Sequence, residues 1–317
     1  MLKRKLGRSD LSVSVLCFGG NVFGWTVDEE SSFAVLDAFV DGGGNFIDTA
    51  DVYGVGASET ILGKWMKARN NRERVILATK VGSQMGSDTS MRGLSRQYIL
   101  REVEASLKRL QTDYIDLYQT HRDDQNTPLD ETLSALTELV QQGKVRYIGA
   151  SNYSAARLRK ALQISQLHGF ARFESVQPPY NLVNRGEYEG SLEELCLEQD
   201  IGVITYSSLA SGFLTGKYRS NQPLPSSLRA KRVRERYMNR HGFSVLDQLD
   251  HVAEACHATD AQVALAWIMA RPGITSAIAS ATSVEQVHEL LGSVSLKLSE
   301  EEMAALDTAS AWSKNRG

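Results

Sequence analysis

Short apolar runs recur eight times along this chain of 317 residues, alternating with longer amphipathic segments. The runs cover residues 13–18, 45–48, 75–79, 114–118, 145–149, 175–177, 202–206 and 274–279. Several are continuous and rich in β-branched residues, which is typical of strands buried on both faces of a parallel sheet. The segments between them repeat apolar residues with the helical period, as at Ile99, Val103, Leu107 and Leu110. Eight strand–helix units predict an α/β fold, a closed (β/α)8 TIM barrel rather than an open sheet, because closure removes both sheet edges.

Two segments lie outside this repeat. Residues 1–15 are polar and rich in turn-forming residues, so we expect an N-terminal β-hairpin that closes the barrel floor. Residues 299–309 begin with a Ser-x-x-Glu capping pattern, which predicts an extra C-terminal helix. Composition does not shift along the chain, and one domain is therefore predicted over residues 1–317. Residues 207–240 are predicted to be one long irregular region, and loops of this length are usually functional or mobile.

Composition and charge argue against several classes of function. A net charge of −3 gives no support for nucleic acid or a membrane as partner. Cys17, Cys196 and Cys256 lie far apart without a CxxC motif, which is typical of reduced thiols in a cytoplasmic protein. We predict no signal peptide and no membrane-spanning helix. The six histidines have no ligand spacing, so no metal site is expected, and a homo-oligomer is left open.

Polar side chains stand at the ends of consecutive predicted strands. Asp48 ends the second apolar run, with Tyr53 in the loop after it, and Lys80 and His121 follow the third and fourth runs. Because the active site of such a barrel lies at the C-terminal ends of its strands, we expect these side chains to share one mouth. Taken singly, each has a structural explanation, such as a helix cap, a solvated charge or a packed aromatic ring. Their convergence indicates catalysis.

The four residue types suit the reduction of a carbonyl group by hydride. Such a reaction leaves negative charge on oxygen, which a proton donor and fixed dipoles must meet. Tyrosine is a weak acid with an ordinary pKa of about 10, and a neighbouring lysine is expected to lower the pKa of Tyr53. Lys80 stays charged in a dry pocket only beside a carboxylate, which Asp48 supplies. A neutral His121 then donates to the carbonyl oxygen and orients it.

Six segments resemble the aldo-keto reductase superfamily, in the branch that includes bacterial general reductases and potassium-channel β subunits. They are residues 45–54, 79–82, 119–122, 143–153, 175–181 and 206–217, in order over essentially the whole chain. The resemblance implies a reductase that converts an aldehyde or ketone reversibly to the alcohol with NADPH. It implies Tyr53 as the general acid. Lys80 and Asp48 would tune the pKa of Tyr53, and His121 would orient the substrate.

The resemblance also implies how a nicotinamide cofactor lies across the barrel mouth. Ser151, Asn152 and Gln177 would hold the carboxamide, and Tyr206 would stack on the nicotinamide ring. Hydroxyl and amide groups suit a carboxamide, and a flat ring suits an aromatic face. For Asn152 the alternative is a helix N-cap, although Ser154 competes for that position. For Gln177 the alternative is an ordinary polar residue at a strand end.

No GxGxxG motif follows a predicted strand, so the phosphates of the cofactor are expected on loops instead. The candidates in and beyond the loops after the last two strands are Ser207, Leu209, Ser211, Lys217, Arg229, Ser280, Thr282 and Gln286. Many members of the family carry lysine or arginine where Thr282 and Gln286 are uncharged here, and Arg229 is the expected substitute. NADP(H) is therefore the expected cofactor, while NAD(H) stays open.

The substrate and the competing functions are less constrained by the sequence. Phe23 and Trp25 lie in a loop after a strand, where they form either an apolar wall of the substrate pocket or ordinary packing. The basic residues of 229–240 either steer the anionic cofactor or form a solvated face. A small-molecule carbonyl compound is the expected substrate. Two alternatives are a nicotinamide-sensing regulatory subunit with weak reductase activity, and a barrel isomerase or lyase without a redox cofactor.

Overall fold

Ten strands form two sheets in the computed structural model, which describes residues 1–220 and 222–312. β1 (Lys3–Lys5) and β2 (Ser12–Ser14) form an antiparallel hairpin. A closed parallel barrel consists of β3 (Leu16–Gly19), β4 (Phe46–Asp48), β5 (Ile76–Val81), β6 (Ile115–Thr120), β7 (Val145–Ser151), β8 (Phe173–Gln177), β9 (Gly202–Thr205) and β10 (Ile274–Ala279). Pairing of β10 with β3 closes the barrel. The expected TIM barrel is confirmed, and each barrel strand overlaps one predicted apolar run.

Helices alternate with the barrel strands and pack around them. They are α1 (Glu29–Asp41), α2 (Ala57–Arg69), α3 (Arg96–Leu110), α4 (Leu129–Gln141), α5 (Ala155–His168), α6 (Ser191–Gln199), α7 (Ala230–Tyr237), α8 (Arg240–Ala255), α9 (Asp260–Ala270), α10 (Val284–Gly292) and α11 (Glu300–Ala309). The apolar stripe predicted on α3 is buried, and Ser95 caps that helix. The predicted capping box of Ser299 and Glu302 starts α11, the expected extra C-terminal helix. Within the described ranges, none of the helices has the length and apolarity needed to cross a membrane.

The N-terminal hairpin fills the floor of the barrel, as expected. Leu6 and Val13 are fully buried and belong to one apolar cluster with Cys17 and Phe46 of the barrel strands. Gly7 in the hairpin turn has φ +55°, a conformation that strains residues with a Cβ atom, and its backbone approaches β8 closely. Because the hairpin occupies this end, the opposite end, where the strands terminate, is left for a functional site.

Residues 207–240 contain more regular structure than predicted. A short 3₁₀-helix covers Ala210–Thr215, and α7 covers much of the basic run. The expectation of an irregular chain is wrong for α7. Ala230, Val233 and Tyr237 form a buried stripe on that helix, and the basic residues between them hide the stripe in the sequence.

Candidate active site

Four polar side chains meet at the C-terminal end of the barrel. Asp48 is the last residue of β4, Lys80 lies in β5, His121 follows β6, and Tyr53 lies in the loop between β4 and α2. Lys80 Nζ donates to Asp48 Oδ2 at 2.5 Å, to the Thr49 carbonyl oxygen at 2.8 Å and to Tyr53 Oη at 3.4 Å. The rings of Tyr53 and His121 meet edge to face with centroids 5.8 Å apart. The structure therefore brings together all four residues expected to be catalytic.

Asp48 is also held by two glutamine side chains, one of which was not predicted. Its Oδ1 atom accepts hydrogen bonds from Gln177 Nε2 at 2.8 Å and from Gln119 Nε2 at 3.1 Å. Gln119 lies opposite Lys80 in the pairing of β5 with β6. The one signal for it in the sequence is a polar side chain within an otherwise buried strand. These amides and Lys80 hold both carboxylate oxygens of Asp48 in place.

Lys80 stays protonated although it is fully buried, because Asp48 and Tyr53 stabilise its positive charge. Burial alone would lower the pKa of Lys80, but the Asp48 carboxylate and the Tyr53 hydroxyl raise it above its ordinary value. For Tyr53 the outcome differs from the expectation. Burial raises the pKa of Tyr53, and although Lys80 lowers it as expected, Asp48 raises it again, so the net shift is upward. Tyr53 therefore keeps its proton at neutral pH, which is the form that a proton donor requires.

His121 is neutral over the working range of pH. Burial and the positive charges of Lys80 and Arg122 lower the pKa of His121 to about 3. Its Nδ1 atom is buried and has no hydrogen-bond partner among the described residues. A neutral imidazole donates a hydrogen bond from one nitrogen without adding charge, and this is the form that can orient a carbonyl oxygen.

A cavity of 530 Å³ opens beside these residues. Its lining consists of Tyr53, His121, Arg122, Asp123, Ser151, Asn152, Gln177 and Tyr206. Such a volume is typical of sites for small ligands. All four residues expected around the nicotinamide ring, Ser151, Asn152, Gln177 and Tyr206, therefore lie on the wall of the cavity that holds Tyr53 and His121.

Hydrogen bonds connect the residues expected around the nicotinamide ring. Asn152 Nδ2 donates to the His121 carbonyl oxygen at 2.8 Å and to Ser151 Oγ at 3.0 Å, and Asn152 Oδ1 accepts from Tyr206 Oη at 2.8 Å. Ser151 Oγ donates to the Gln177 carbonyl oxygen at 2.9 Å. Ser154, not Asn152, caps α5, so the alternative N-cap interpretation of Asn152 is wrong. Asn152 instead takes a left-handed conformation, with φ 58°, and lines the cavity.

The loop after β9 adopts an unusual backbone that precedes two cations. Ser207 and Ser211 have φ of 54° and 59°, whereas Leu209 packs against the core. Burial lowers the pKa of both Lys217 and Arg229, and the charge of Arg229 lowers that of Lys217 further. Within the described residues neither cation has a carboxylate partner. Two neighbouring cations without an acid between them fit the phosphates of a dinucleotide.

The residues expected after β10 lie just before α10 and in its first turn, where Thr282 and Gln286 bond to each other. Gln286 Oε1 accepts from Thr282 N at 2.8 Å and from Thr282 Oγ1 at 3.1 Å. Ser280 Oγ donates to Asn21 Oδ1 at 2.7 Å, which joins this segment to the loop after β3. Asn21 was not predicted. None of these residues lines the cavity beside Tyr53, so any cofactor contact here lies away from the reacting end.

The two aromatic residues expected in the substrate pocket do not line the cavity. Phe23 is fully buried and stacks on Phe18 with centroids 5.6 Å apart, which matches the packing alternative. Trp25 is 52% exposed, and the Arg229 guanidinium lies 5.3 Å from its ring centroid. Trp25 therefore contacts the region of the cations beyond β9.

A second buried group of charges lies behind the loop that carries Tyr53. We call Asp51, Glu59, Glu102 and Arg109 the wall cluster. Arg109 pairs with Glu59 at 2.6 Å and with Glu102 at 2.5 Å. Asp51 Oδ2 is buried without a hydrogen-bond partner among the described residues, and burial with the charges of Glu59 and Glu102 raises the pKa of Asp51 well above its ordinary value. Sequence reasoning missed this cluster because the Arg109–Glu59 pair joins residues 50 positions apart.

The chain is similar to known proteins over most of its length. The model of the Aldo/keto reductase family matches residues 15–311. Identity is 38% over 314 residues to the uncharacterized oxidoreductase YrpG of Bacillus subtilis (strain 168), spanning 95% of this chain and 94% of that protein. Identity is 35% to the aldo-keto reductase YhdN of the same organism, spanning 95% and 89%. It is 36% to a probable voltage-gated potassium channel subunit beta of Oryza sativa subsp. japonica, spanning 91% and 90%.

Proposed function

Because the chain belongs to the aldo/keto reductase family, we propose that it reduces an aldehyde or ketone to the alcohol with NADPH at the cavity beside Tyr53. A nicotinamide-dependent oxidoreductase needs a proton donor next to the reacting carbonyl. One observation carries the proposal: the Tyr53 hydroxyl lies 3.4 Å from the buried ammonium of Lys80, which Asp48 holds at 2.5 Å. The reaction is reversible, since the same groups serve the oxidation of the alcohol.

The chain's own groups account for the proton chemistry. A nicotinamide held by Ser151, Asn152, Gln177 and Tyr206 would supply the hydride for the carbonyl carbon. His121 donates a hydrogen bond to the carbonyl oxygen and so fixes its position. Tyr53 gives its hydroxyl proton to that oxygen, and Lys80 stabilises the phenolate that forms. Asp48 keeps Lys80 protonated in the dry interior, and water returns a proton to Tyr53 after the alcohol leaves.

The proposed cofactor site follows the chemistry of its donors. Ser151, Asn152 and Gln177 hold the carboxamide and Tyr206 covers the ring. The phosphates lie among Ser207, Leu209, Ser211, Lys217, Arg229, Ser280, Thr282 and Gln286. Arg229, half-buried and without a carboxylate partner among the described residues, supports NADPH over NADH because a guanidinium suits the extra phosphate.

A regulatory, nicotinamide-sensing function is the second candidate. It is favoured by the 36% identity to a protein named as a potassium channel subunit beta. The two candidates differ in turnover, because a sensor binds the cofactor and retains only weak reductase activity. Tyr53 and His121 line the cavity, and Lys80 with Asp48 lies bonded behind Tyr53. This arrangement supports reduction as the main activity.

A panel of aldehydes and ketones tests the proposal, with NADPH and NADH side by side and both nicotinamide absorbance and alcohol measured. We expect one alcohol per NADPH consumed, and a lower kcat/KM with NADH. In Thr282→Arg the added guanidinium should raise the preference for NADPH, since charged donors bind phosphate more strongly than hydroxyls. Cofactor binding with almost no alcohol from any compound would favour the regulatory candidate. An unchanged cofactor ratio in the variant would place the extra phosphate elsewhere.

A further inference from the structure

One positive charge on the cavity lining lacks a partner. Arg122 follows His121 directly, and both line the cavity. Asp123, the next residue, pairs with Arg157 at 2.7 Å and so is already neutralised. Among the described residues Arg122 has no ion pair and no side-chain hydrogen bond. An exposed guanidinium at the edge of a cavity is available to a ligand.

The charge of Arg122 affects two other residues of the cavity lining, although its side chain is exposed. After burial and Lys80, Arg122 is the third cause that lowers the pKa of His121. Burial, Glu187 and Tyr53 raise the pKa of Tyr206, whereas Arg236 and Arg122 oppose that rise. These effects on two lining residues agree with the position of Arg122 on the cavity lining.

The rest of the lining combines polar groups with aromatic rings, and its carboxylate has a cation partner. Asp123 is paired, and none of the eight lining residues has an aliphatic side chain. Phe23 and Trp25, the expected apolar wall, lie elsewhere. A polar substrate with an anionic group would find both hydrogen-bond donors and, among the described residues, one cation without an ion pair.

We propose that Arg122 binds a carboxylate of the substrate, so that the enzyme selects small carbonyl compounds that carry a carboxylate group. The inference rests on the proposed function for the position of the carbonyl group, which His121 and Tyr53 hold. Arg122 lines the same cavity as His121 and Tyr53, so its guanidinium is available to a charged group of a carbonyl compound that those two residues hold. Arginine binds a carboxylate through two parallel hydrogen bonds, which gives direction as well as charge.

A pair of substrates of nearly equal shape tests the inference. 4-Carboxybenzaldehyde carries the charge, and its methyl ester does not. In Arg122→Gln we expect kcat/KM for the acid to fall roughly ten- to hundredfold, which is typical for the loss of a hydrogen bond to a charged group. The change should lie mainly in KM, and kcat/KM for the ester should stay within about twofold. Arg122→Lys should restore part of the preference for the acid.

The control variant is Arg159→Gln, which removes an exposed arginine of α5 that pairs with Glu198. It should leave both substrates unaffected. Equal losses for acid and ester in Arg122→Gln would mean that Arg122 acts only through His121, and no loss would mean a solvated surface charge; either result overturns the inference.

A binding measurement separates this inference from the proposed function. Calorimetry of benzoate with the native protein in saturating NADP⁺ needs no turnover. We expect benzoate to bind the native protein at least about tenfold more tightly than Arg122→Gln, with methyl benzoate unchanged. If neither aldehyde is reduced while benzoate binding depends on Arg122, the proposed reaction fails and the carboxylate site stands. Benzoate binding that ignores the variant overturns the carboxylate site.

Discussion

Two buried groups of charges lie on opposite faces of β5, and only one of them meets the cavity. Lys80 points inward to Asp48, whereas the neighbouring Thr79 points outward and donates to Glu59 Oε1 at 2.6 Å. The inner pair balances one cation with one anion and borders the cavity at Tyr53. The wall cluster sets three carboxyl groups against one guanidinium, and none of its members lines the cavity.

The comparison shows that burial of a charged group does not by itself indicate a catalytic role. Burial raises the pKa of Asp51 as it raises that of Tyr53, yet of these two residues only Tyr53 lines the cavity. The Asp51 backbone N–H donates to the Lys80 carbonyl oxygen at 3.2 Å. We infer that the inner group performs the proton chemistry, whereas the wall cluster anchors the loop that carries Tyr53.

The largest expected effect is a loss of turnover, and it distinguishes Tyr53 of the inner group from Tyr118 beside the wall cluster. Tyr53→Phe should lower turnover roughly 10²- to 10⁴-fold, as expected for loss of a general acid, while cofactor affinity barely changes. Tyr118→Phe is the matched control, because the Tyr118 hydroxyl is buried beside the wall cluster and has no partner among the described residues. Steady-state rates and a fluorescence titration of NADPH give the two readouts. Similar turnover in both variants would contradict the catalytic role of Tyr53.

The cations provide the next comparison. Lys80→Met and Arg109→Met each leave buried carboxylates without their cation, and the free energy of unfolding should fall by about 3–5 kcal/mol in each. Only Lys80→Met should also remove turnover from the protein that remains folded. Urea unfolding and the rate per folded molecule separate these effects. A folded Lys80→Met protein with native turnover would contradict the role of Lys80.

The smallest expected effect concerns pH and the inner group alone. The pKa of His121 lies at about 3 in the folded protein, below its ordinary value of 6.5, so the unfolded chain binds the extra proton first as pH falls. Stability from His121 is therefore present above about pH 6.5 and is lost toward pH 3. Between about pH 7 and pH 5, native protein should lose about 2 kcal/mol more than His121→Gln. The control is His241→Gln at an exposed histidine, which should lose as much unfolding free energy between about pH 7 and pH 5 as native protein. If His121→Gln also loses as much as native protein, the assignment to His121 is refuted.

Much of the fold is readable from the sequence, because strands buried on both faces leave continuous apolar runs. The position of Lys80 and His121 at strand ends likewise follows from chain order in a parallel barrel. Gln119 was missed because the sequence does not show that its side chain turns toward Asp48. The wall cluster was missed because Arg109 meets Glu59 across 50 residues, and burial of a charge depends on such distant partners. That residues 1–317 form one domain stays a prediction.

Transfer of label from cofactor to product tests the central claim most directly. With a carbonyl substrate and NADPH carrying deuterium at the transferred position, mass spectrometry of the alcohol should find one deuterium on the former carbonyl carbon. The rate of labelling should fall in Tyr53→Phe by the same factor as turnover. An alcohol without deuterium, or labelling that proceeds at the native rate in Tyr53→Phe, would contradict the account.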